Sequence, residues 1–400
     1  MSKRTPVLTP LPSLAPNEPW ADPAHHEHAA CPVCDTDSSP LVVGTRARFG
    51  MRVRNVACRT CGLVRVDPRP SPEAMDAYYR GPYRSQYRTV KLPTGDGRAL
   101  GPDDPGYMEL RAARYRDQAS LALRLGQLDK GARVLEVGCR DGQTLSHMAR
   151  REVSVFGVEP GPEEAAQAAA RGVDVFVGLL EEYTPDAPFD QVQMFHVLEH
   201  LHDPRGALET LASWLRPGGK LIVEVPNLAQ PYGPLEGNFF QNAHLYSFTA
   251  NTLKALFRRV GLTPKRVVDG GTLFLVGERD ALSRPYAEEL LDAPEQDGAW
   301  VATRLDTYRH LESLRREVFE GGTSMDRLGS LVGVLHRPGF DAHISKTVRD
   351  LLAFFGRARA PRAALAVAYA AAKGPHSTAL ASQCMRAAAL YQAQLGARAA

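Results

Sequence analysis

The segment from Ala132 to Glu278 alternates between short apolar, β-branched runs and stretches of helical periodicity, and this alternation leaves few folds open. The strand candidates are Val134–Val137, Val153–Glu159, Val173–Val177, Gln191–His196 and Lys220–Val225, and helical stretches at 142–151, 162–171 and 204–215 separate most of them. A strand that returns through a helix runs parallel to the one before it, so the pattern predicts a mostly parallel sheet with helices on both faces. A last helix at 249–260 leads into strands 264–269 and 272–278, joined only by Gly270-Gly271. So short a link cannot cross over, and these two strands must be antiparallel. The expected fold class over residues 131–280 is therefore α/β: a Rossmann-like parallel sheet with one antiparallel strand.

The rest of the 400-residue chain divides around this unit. Residues 1–28 carry Pro6, Pro10, Pro12, Pro16 and Pro19 without apolar periodicity, which reads as a flexible leader and not as a secretory signal. Residues 29–70 form a short, strand-like module. Ser71-Pro72-Glu73 is an N-cap with proline at the first helical position, opening a helical connector, 71–130. Residues 281–400 lack the alternation and read as helical, a candidate surface for self-association. With 44% hydrophobic and 23% charged residues the chain has a globular composition, and a net charge of +3 is no polycation. No uncharged apolar run approaches the roughly 18 residues needed to span a bilayer, so a cytoplasmic protein is expected.

The segment Val134-Leu135-Glu136-Val137-Gly138-Cys139-Arg140-Asp141-Gly142 is an apolar strand ending in an acid, then a glycine-containing turn that opens a helix. Glycine serves where a backbone must turn sharply and approach a ligand with no Cβ in the way. Glu159 ends the next strand, 23 positions after Glu136. An acid there is placed to accept hydrogen bonds from ribose hydroxyls, and the competing reading is that it caps the helix beginning near Pro160 and Pro162.

These residues resemble the glycine-rich first motif, E/D-x-G-x-G-x-G, of class I methyltransferases, with Arg140 where glycine is usual. Phe195-His196-Val197-Leu198-Glu199-His200-Leu201-His202-Asp203-Pro204 is similar to the stretch after the fourth strand in that superfamily, and Arg216-Pro217-Gly218-Gly219-Lys220 to its turn before the fifth. The resemblance implies S-adenosylmethionine as the cofactor. It places Glu136 near the methionine amino group, lets Gly138, Cys139, Arg140 and Gly142 wrap the cofactor, gives Glu159 and Pro160 the ribose, and puts His196, Leu198 and Glu199 in the pocket wall. The order H-x-x-E-H-x-H at 196–202 matches neither H-E-x-x-H nor its inverse, so catalytic zinc is not the reading of this segment.

Cys31-x2-Cys34 and Cys58-x2-Cys61 supply four thiolates in a chain without a signal, the donor set of a closed structural zinc site. A module this small needs the metal for much of its folding energy. Arg46, Arg48, Arg52, Arg54, Arg59, Arg65 and Arg69 crowd it, either as a solvated face or as an anion site. Together with Pro68-Arg69-Pro70-Ser71-Pro72-Glu73-Ala74-Met75 and the later Tyr79-Arg80, the module resembles the zinc-binding N-terminal region of bacterial sugar and polysaccharide-cluster methyltransferases, including deoxysugar C-methyltransferases. Phe239-Phe240-Gln241-Asn242-Ala243-His244-Leu245-Tyr246-Ser247-Phe248-Thr249 resembles a later segment of the same enzymes.

The function expected is methyl transfer to a sugar or nucleotide-linked sugar, by O- or C-methylation, although the helical C-terminus does not resemble the second nucleotide-type domain of the C-methyltransferases. His244, in the long loop after the fifth strand, is the candidate general base, because a hydroxyl is a poor nucleophile until its proton is taken. Tyr246 and Glu224 are the next catalytic candidates, with Asn227, Asn238 and Gln241 as orienting groups. An RNA methyltransferase reading through the arginine-rich module is the rival of the same chemistry, opposed by the modest net charge. A scaffold that binds cofactor without catalysis is the rival of another class, supported by Arg140.

Overall fold

The computed structural model describes residues 23–37, 39–48, 51–80, 92–93, 99–101, 104–231, 234–280 and 290–320. The leader 1–22, most of the 81–103 loop, Cys384 and the bulk of the C-terminal region lie outside the described residues. So does the side chain of Asn238.

In chain order the elements used below are strands β1 (Leu41–Arg46), β2 (Arg52–Ala57) and β3 (Val64–Val66), helices α1 (Pro72–Arg80) and α2 (Tyr107–Gly126), then β4 (Arg133–Val137), α3 (Gln143–Ala149), β5 (Ser154–Glu159), α4 (Pro162–Ala170), β6 (Asp174–Val177), β7 (Phe189–Phe195), α5 (Pro204–Trp214), β8 (Leu215–Pro226), β9 (Tyr246–Ser247), α6 (Ala250–Arg259), β10 (Thr263–Asp269), β11 (Thr272–Glu278) and α7 (Gly298–Glu320). The central sheet has seven strands in the order β6-β5-β4-β7-β8-β11-β10. Pairings β4–β5, β5–β6, β4–β7 and β7–β8 are parallel, while β11 lies antiparallel between β8 and β10. The order reverses between β4 and β7. In open sheets of this kind that reversal marks the crevice where ligands enter, beyond the carboxyl ends of the strands.

The sheet is covered as its sequence dictates. Ala119, Ala122 and Leu125 of α2 and Leu145 and Met148 of α3 bury against Val134, Val155 and Val276. Each buried Leu, Met or Val side chain contributes about 1.5–3 kcal/mol when removed from water, and each alanine methyl less. Helix starts follow their caps: Asp203 accepts from the Gly206 N–H with Pro204 at the first turn of α5, and Thr249 forms a capping box with Thr252 at the start of α6.

The cysteine module is joined to the sheet unit by backbone pairing. Strands β1, β2 and β3 form an antiparallel sheet whose outer neighbour is β9, with Tyr246 opposite Arg65 and Ser247 opposite Val64. The Val66 N–H donates to Leu245 O at 2.9 Å and the Arg48 N–H to Phe240 O at 2.7 Å. Thus the loop after β8 becomes a strand of the module. This fusion belongs to one compact unit, residues 1–228 with 236–299.

A second unit comprises 229–235 and 300–400. Its described part is the α7 helix from Trp300 onward with a short segment tied to it: Arg304 donates to Ala229 O and the Tyr308 hydroxyl to Pro231 O. No helix among the described residues is long and apolar enough to cross a membrane.

Candidate active site

Four of the sequence-derived cofactor residues meet at the carboxyl ends of β4 and β5. Gly138, Arg140 and Gly142 all have left-handed backbone, with φ of 72°, 53° and 71°. Arginine therefore occupies a conformation that glycine adopts without cost, and its side chain is exposed. The two glycines are fixed by space as well. A Cβ on Gly138 would stand 2.6 Å from Val197 Cγ2, and one on Gly142 would stand 2.9 Å from Ala168 Cα in α4. Glu159 takes one hydrogen bond on each carboxylate oxygen, from Arg140 N–H at 2.9 Å and Gly161 N–H at 2.8 Å. It ties the glycine turn to the start of α4, and each oxygen keeps a further lone pair. Pro160 beside it is exposed, whereas Cys139 is buried with its thiol pKa raised by burial.

Glu136 is buried and accepts from Gln193 Nε2 at 2.8 Å. Burial pushes its pKa up to about 8; the Gln193 bond opposes this, and the charges of Asp141, Glu159 and Glu224 add to it. Burial therefore favours the neutral form of this carboxyl group.

The segment after β7 lines the other side. His196 stands at φ 55°, a strained position for a side-chain-bearing residue at a strand end. Its Nδ1 is 3.3 Å from Glu199 Oε1 and its Nε2 is 3.2 Å from Glu224 Oε1. Burial would depress this imidazole, but Glu224 and Glu199 more than offset that and lift its pKa to about 9. Burial would likewise raise Glu224, yet His196, Arg114 and a hydrogen bond from Gln118 hold it at about 2. Glu224 is thus a feeble base. Leu198 and Glu199 are fully buried beside them.

The catalytic candidates separate. Tyr246 accepts from Arg69 Nη1 at 2.7 Å and donates to His202 O, and burial raises its pKa, so its hydroxyl binds the module to the segment after β7. Asn227 donates to Asp269 Oδ1 and Gly270 O, bracing the turn between β10 and β11. Gln241 and Asn242 are buried in the same loop as His244, and both amide atoms of Asn242 lack a hydrogen-bond partner. His244 stacks edge-on against His200 with ring centroids 4.7 Å apart. Burial, with His200, His196 and Arg48 nearby, lowers its pKa well below the usual imidazole range.

Gln118 and Gln193 join the site with no signal in the sequence, His200 comes from the 196–202 segment whose metal reading the motif order argued against, and Tyr79 comes from the resemblance of the module. Gln118 lies on a helix before the sheet, and nothing in its local pattern marks it. His200 stood in a recognised segment, and its significance needed the partner residue His244.

The cysteines converge. Each CxxC forms the same turn: Asp35 N–H donates to Cys31 O and Cys31 N–H to Thr36 O, while Gly62 N–H donates to Cys58 O and Cys58 N–H to Leu63 O. Asp35 and Gly62 supply the left-handed residue, at φ 56° and 76°. The four sulfurs lie within 4.8 Å of one another, with Cys31–Cys61 and Cys34–Cys58 at 3.5 Å. Tetrahedral zinc with ~2.3 Å bonds to sulfur needs edges of about 3.8 Å, so the donor set fits the ion. The arginines around it do not form one face: Arg46, Arg52, Arg54 and Arg59 are exposed, while Arg48 and Arg65 are buried.

The sheet order, parallel except for β11 between β8 and β10, is that of a methyltransferase-type Rossmann-like domain. Residues 107–267 match a family model described as a methyltransferase domain. The ubiquinone biosynthesis O-methyltransferase of Xylella fastidiosa is 34% identical over 105 residues, 24% of this chain and 43% of that protein. The chain thus spans less than half the length of that relative. Trans-aconitate 2-methyltransferase of Mycobacterium tuberculosis is 27% identical over 205 residues, 51% of this chain and 71% of that protein. Among solved structures, the Burkholderia thailandensis 1,6-didemethyltoxoflavin-N1-methyltransferase with S-adenosylhomocysteine is 22% identical, covering 55% of this chain and 95% of that one, with a TM-score of 0.40.

Proposed function

We propose that the chain transfers a methyl group from S-adenosylmethionine to a small-molecule acceptor, a sugar or nucleotide-linked sugar, in polysaccharide or natural-product assembly. The observation that carries the reading is the pair of acids, Glu136 and Glu159, at the ends of adjacent parallel strands around the Gly138–Gly142 turn. The names of the two sequence relatives, with ubiquinone biosynthesis and trans-aconitate in them, favour a small-molecule acceptor. The sugar rests on the resemblance of residues 31–80 and 239–249.

S-adenosylmethionine, when bound, supplies an electrophilic methyl on sulfonium sulfur. The chain's own part is alignment, since displacement in line depends on holding nucleophile and methyl together. Glu159 holds ribose, and Glu136 ionises against the methionine ammonium. His196 and Glu224 brace the wall between cofactor and acceptor. The acceptor side is the loop with Asn242 and His244, whose imidazole faces the acceptor hydroxyl and is by itself a weak proton acceptor.

We infer one structural zinc held by Cys31, Cys34, Cys58 and Cys61, which fixes the module that β9 joins and so fixes the acceptor loop. Calorimetry with S-adenosylhomocysteine tests the core of the proposal: binding in the micromolar range, about −8 kcal/mol, is expected. Absence of binding overturns it. Labelled methyl transfer screened over nucleotide sugars then identifies the acceptor.

A further inference from the structure

Three metal-ligating side chains stand together outside the cysteine cluster. Glu199, His200 and His244 each offer a ligand atom, and those atoms lie within 4.8 Å of one another. Glu199 is 1% exposed, and its Oε2 has no hydrogen-bond partner, an arrangement that costs free energy unless something binds there. The other oxygen of Glu199 is steadied by His196 Nδ1 at 3.3 Å.

The orientation of His200 is also fixed. Its Nδ1 lies 2.9 Å from Ala243 O, which can only accept, so Nδ1 carries the proton and donates. The Tyr79 hydroxyl oxygen, 3.0 Å from the same nitrogen, is a second acceptor for that N–H. Nε2 is left with its lone pair, 4.0 Å from the Glu199 carboxylate. A histidine whose far N–H is held by a backbone carbonyl is the usual supported metal ligand. Among the described residues, neither ring nitrogen of His244 has a hydrogen-bond partner.

We propose that Glu199, His200 and His244 bind a divalent cation of the zinc type, whose open position takes an acceptor hydroxyl. Two imidazoles and a carboxylate suit such an ion, and three protein ligands leave a coordination position free. This deepens the proposed methyl transfer and rests on it for its role. A cation there lowers the pKa of the acceptor hydroxyl. The hydroxyl proton passes to water, the oxygen forms the new bond to the methyl carbon, and the carbon–sulfur bond breaks with its pair on sulfur, leaving a neutral thioether.

The test counts zinc in the full-length protein. Wild-type protein equilibrated with zinc should hold two ions per chain, and dialysis against dipicolinate should remove the one with three protein ligands. Titrating zinc back should refill one site. His244→Ala and Glu199→Gln should weaken that site at least ~100-fold, and Tyr79→Phe should weaken it about 10- to 100-fold, with circular dichroism unchanged. Tyr79→Phe leaves all three ligands in place and keeps the test open if the ligand variants misfold. Uptake of no second ion by the wild type, or equal uptake by all variants, overturns the site. S-adenosylhomocysteine binding on the same wild-type sample is read separately: binding without a second ion sinks the cation alone, while no binding sinks the methyl-transfer reading whatever the ion count.

Discussion

Glu136 and Glu159 do different work although both are acids at strand ends. Glu159 is held by two backbone N–H groups, so Glu159→Ala loses the tie to the Arg140 turn and, on the proposed role, the ribose bonds. Calorimetry should find cofactor affinity lowered by about 1.5–3 kcal/mol, the worth of a hydrogen bond to a charged group. Glu136, with its pKa raised to about 8, is largely protonated at neutral pH in the free protein. Pairing with the ligand's ammonium requires the carboxylate, so binding must expel a proton below pH 8. Cofactor affinity should therefore rise between pH 6 and pH 7.5, by up to ~10-fold per unit. Buffers of different ionisation enthalpy should report the released proton, and a pH-independent affinity would exclude this role for Glu136. His244→Ala should cut turnover by roughly 10²–10⁴ while leaving cofactor affinity unchanged. A variant that keeps most of its turnover would show that His244 neither holds the cation nor faces the acceptor.

At the scale of elements, β9 is two residues long and still couples two parts of the molecule. Through it the cysteine turns support the loop carrying His244. Cys58→Ser should lose zinc by elemental analysis, and amide exchange at Val66 and Arg48 should accelerate, because their N–H groups bond to Leu245 and Phe240 across that seam. Cofactor binding at β4 and β5 should survive. Most of the central elements were legible beforehand: the strands expected at 134–137, 153–159, 173–177, 191–196, 264–269 and 272–278 each coincide with an observed strand to within a residue or two. That reach is physical. Strands buried on both faces read as apolar runs, and the intervening helices begin at Pro162, Pro204 and Thr249, where caps and proline announce them. The β9 pairing had no such signal, since a two-residue strand has no periodicity to detect.

At the scale of the whole molecule, the charge pattern bears on the proposed choice between small and polymeric acceptors. Arg46, Arg52, Arg54 and Arg59 are the exposed arginines of the module, too few for an extended phosphate track on a chain of net charge +3. Arg52→Ala with Arg54→Ala should raise the Michaelis constant for a phosphorylated acceptor and spare an unphosphorylated one. An unchanged constant makes them solvated surface, and tight, salt-sensitive RNA binding would favour the RNA reading instead. The sequence by itself determined the alternation of strand and helix, the glycine turn with its two acids, and the two cysteine pairs, because each is a local pattern within one or two elements. Only the tertiary structure decided that β11 inserts between β8 and β10, that the module extends its sheet to the loop after β8, and that His244 meets His200 and Glu199. The pairing of β11 with β8, the seam at β9 and the meeting at His244 join residues 44 or more positions apart, and such meetings are set by how elements pack, which no local periodicity records.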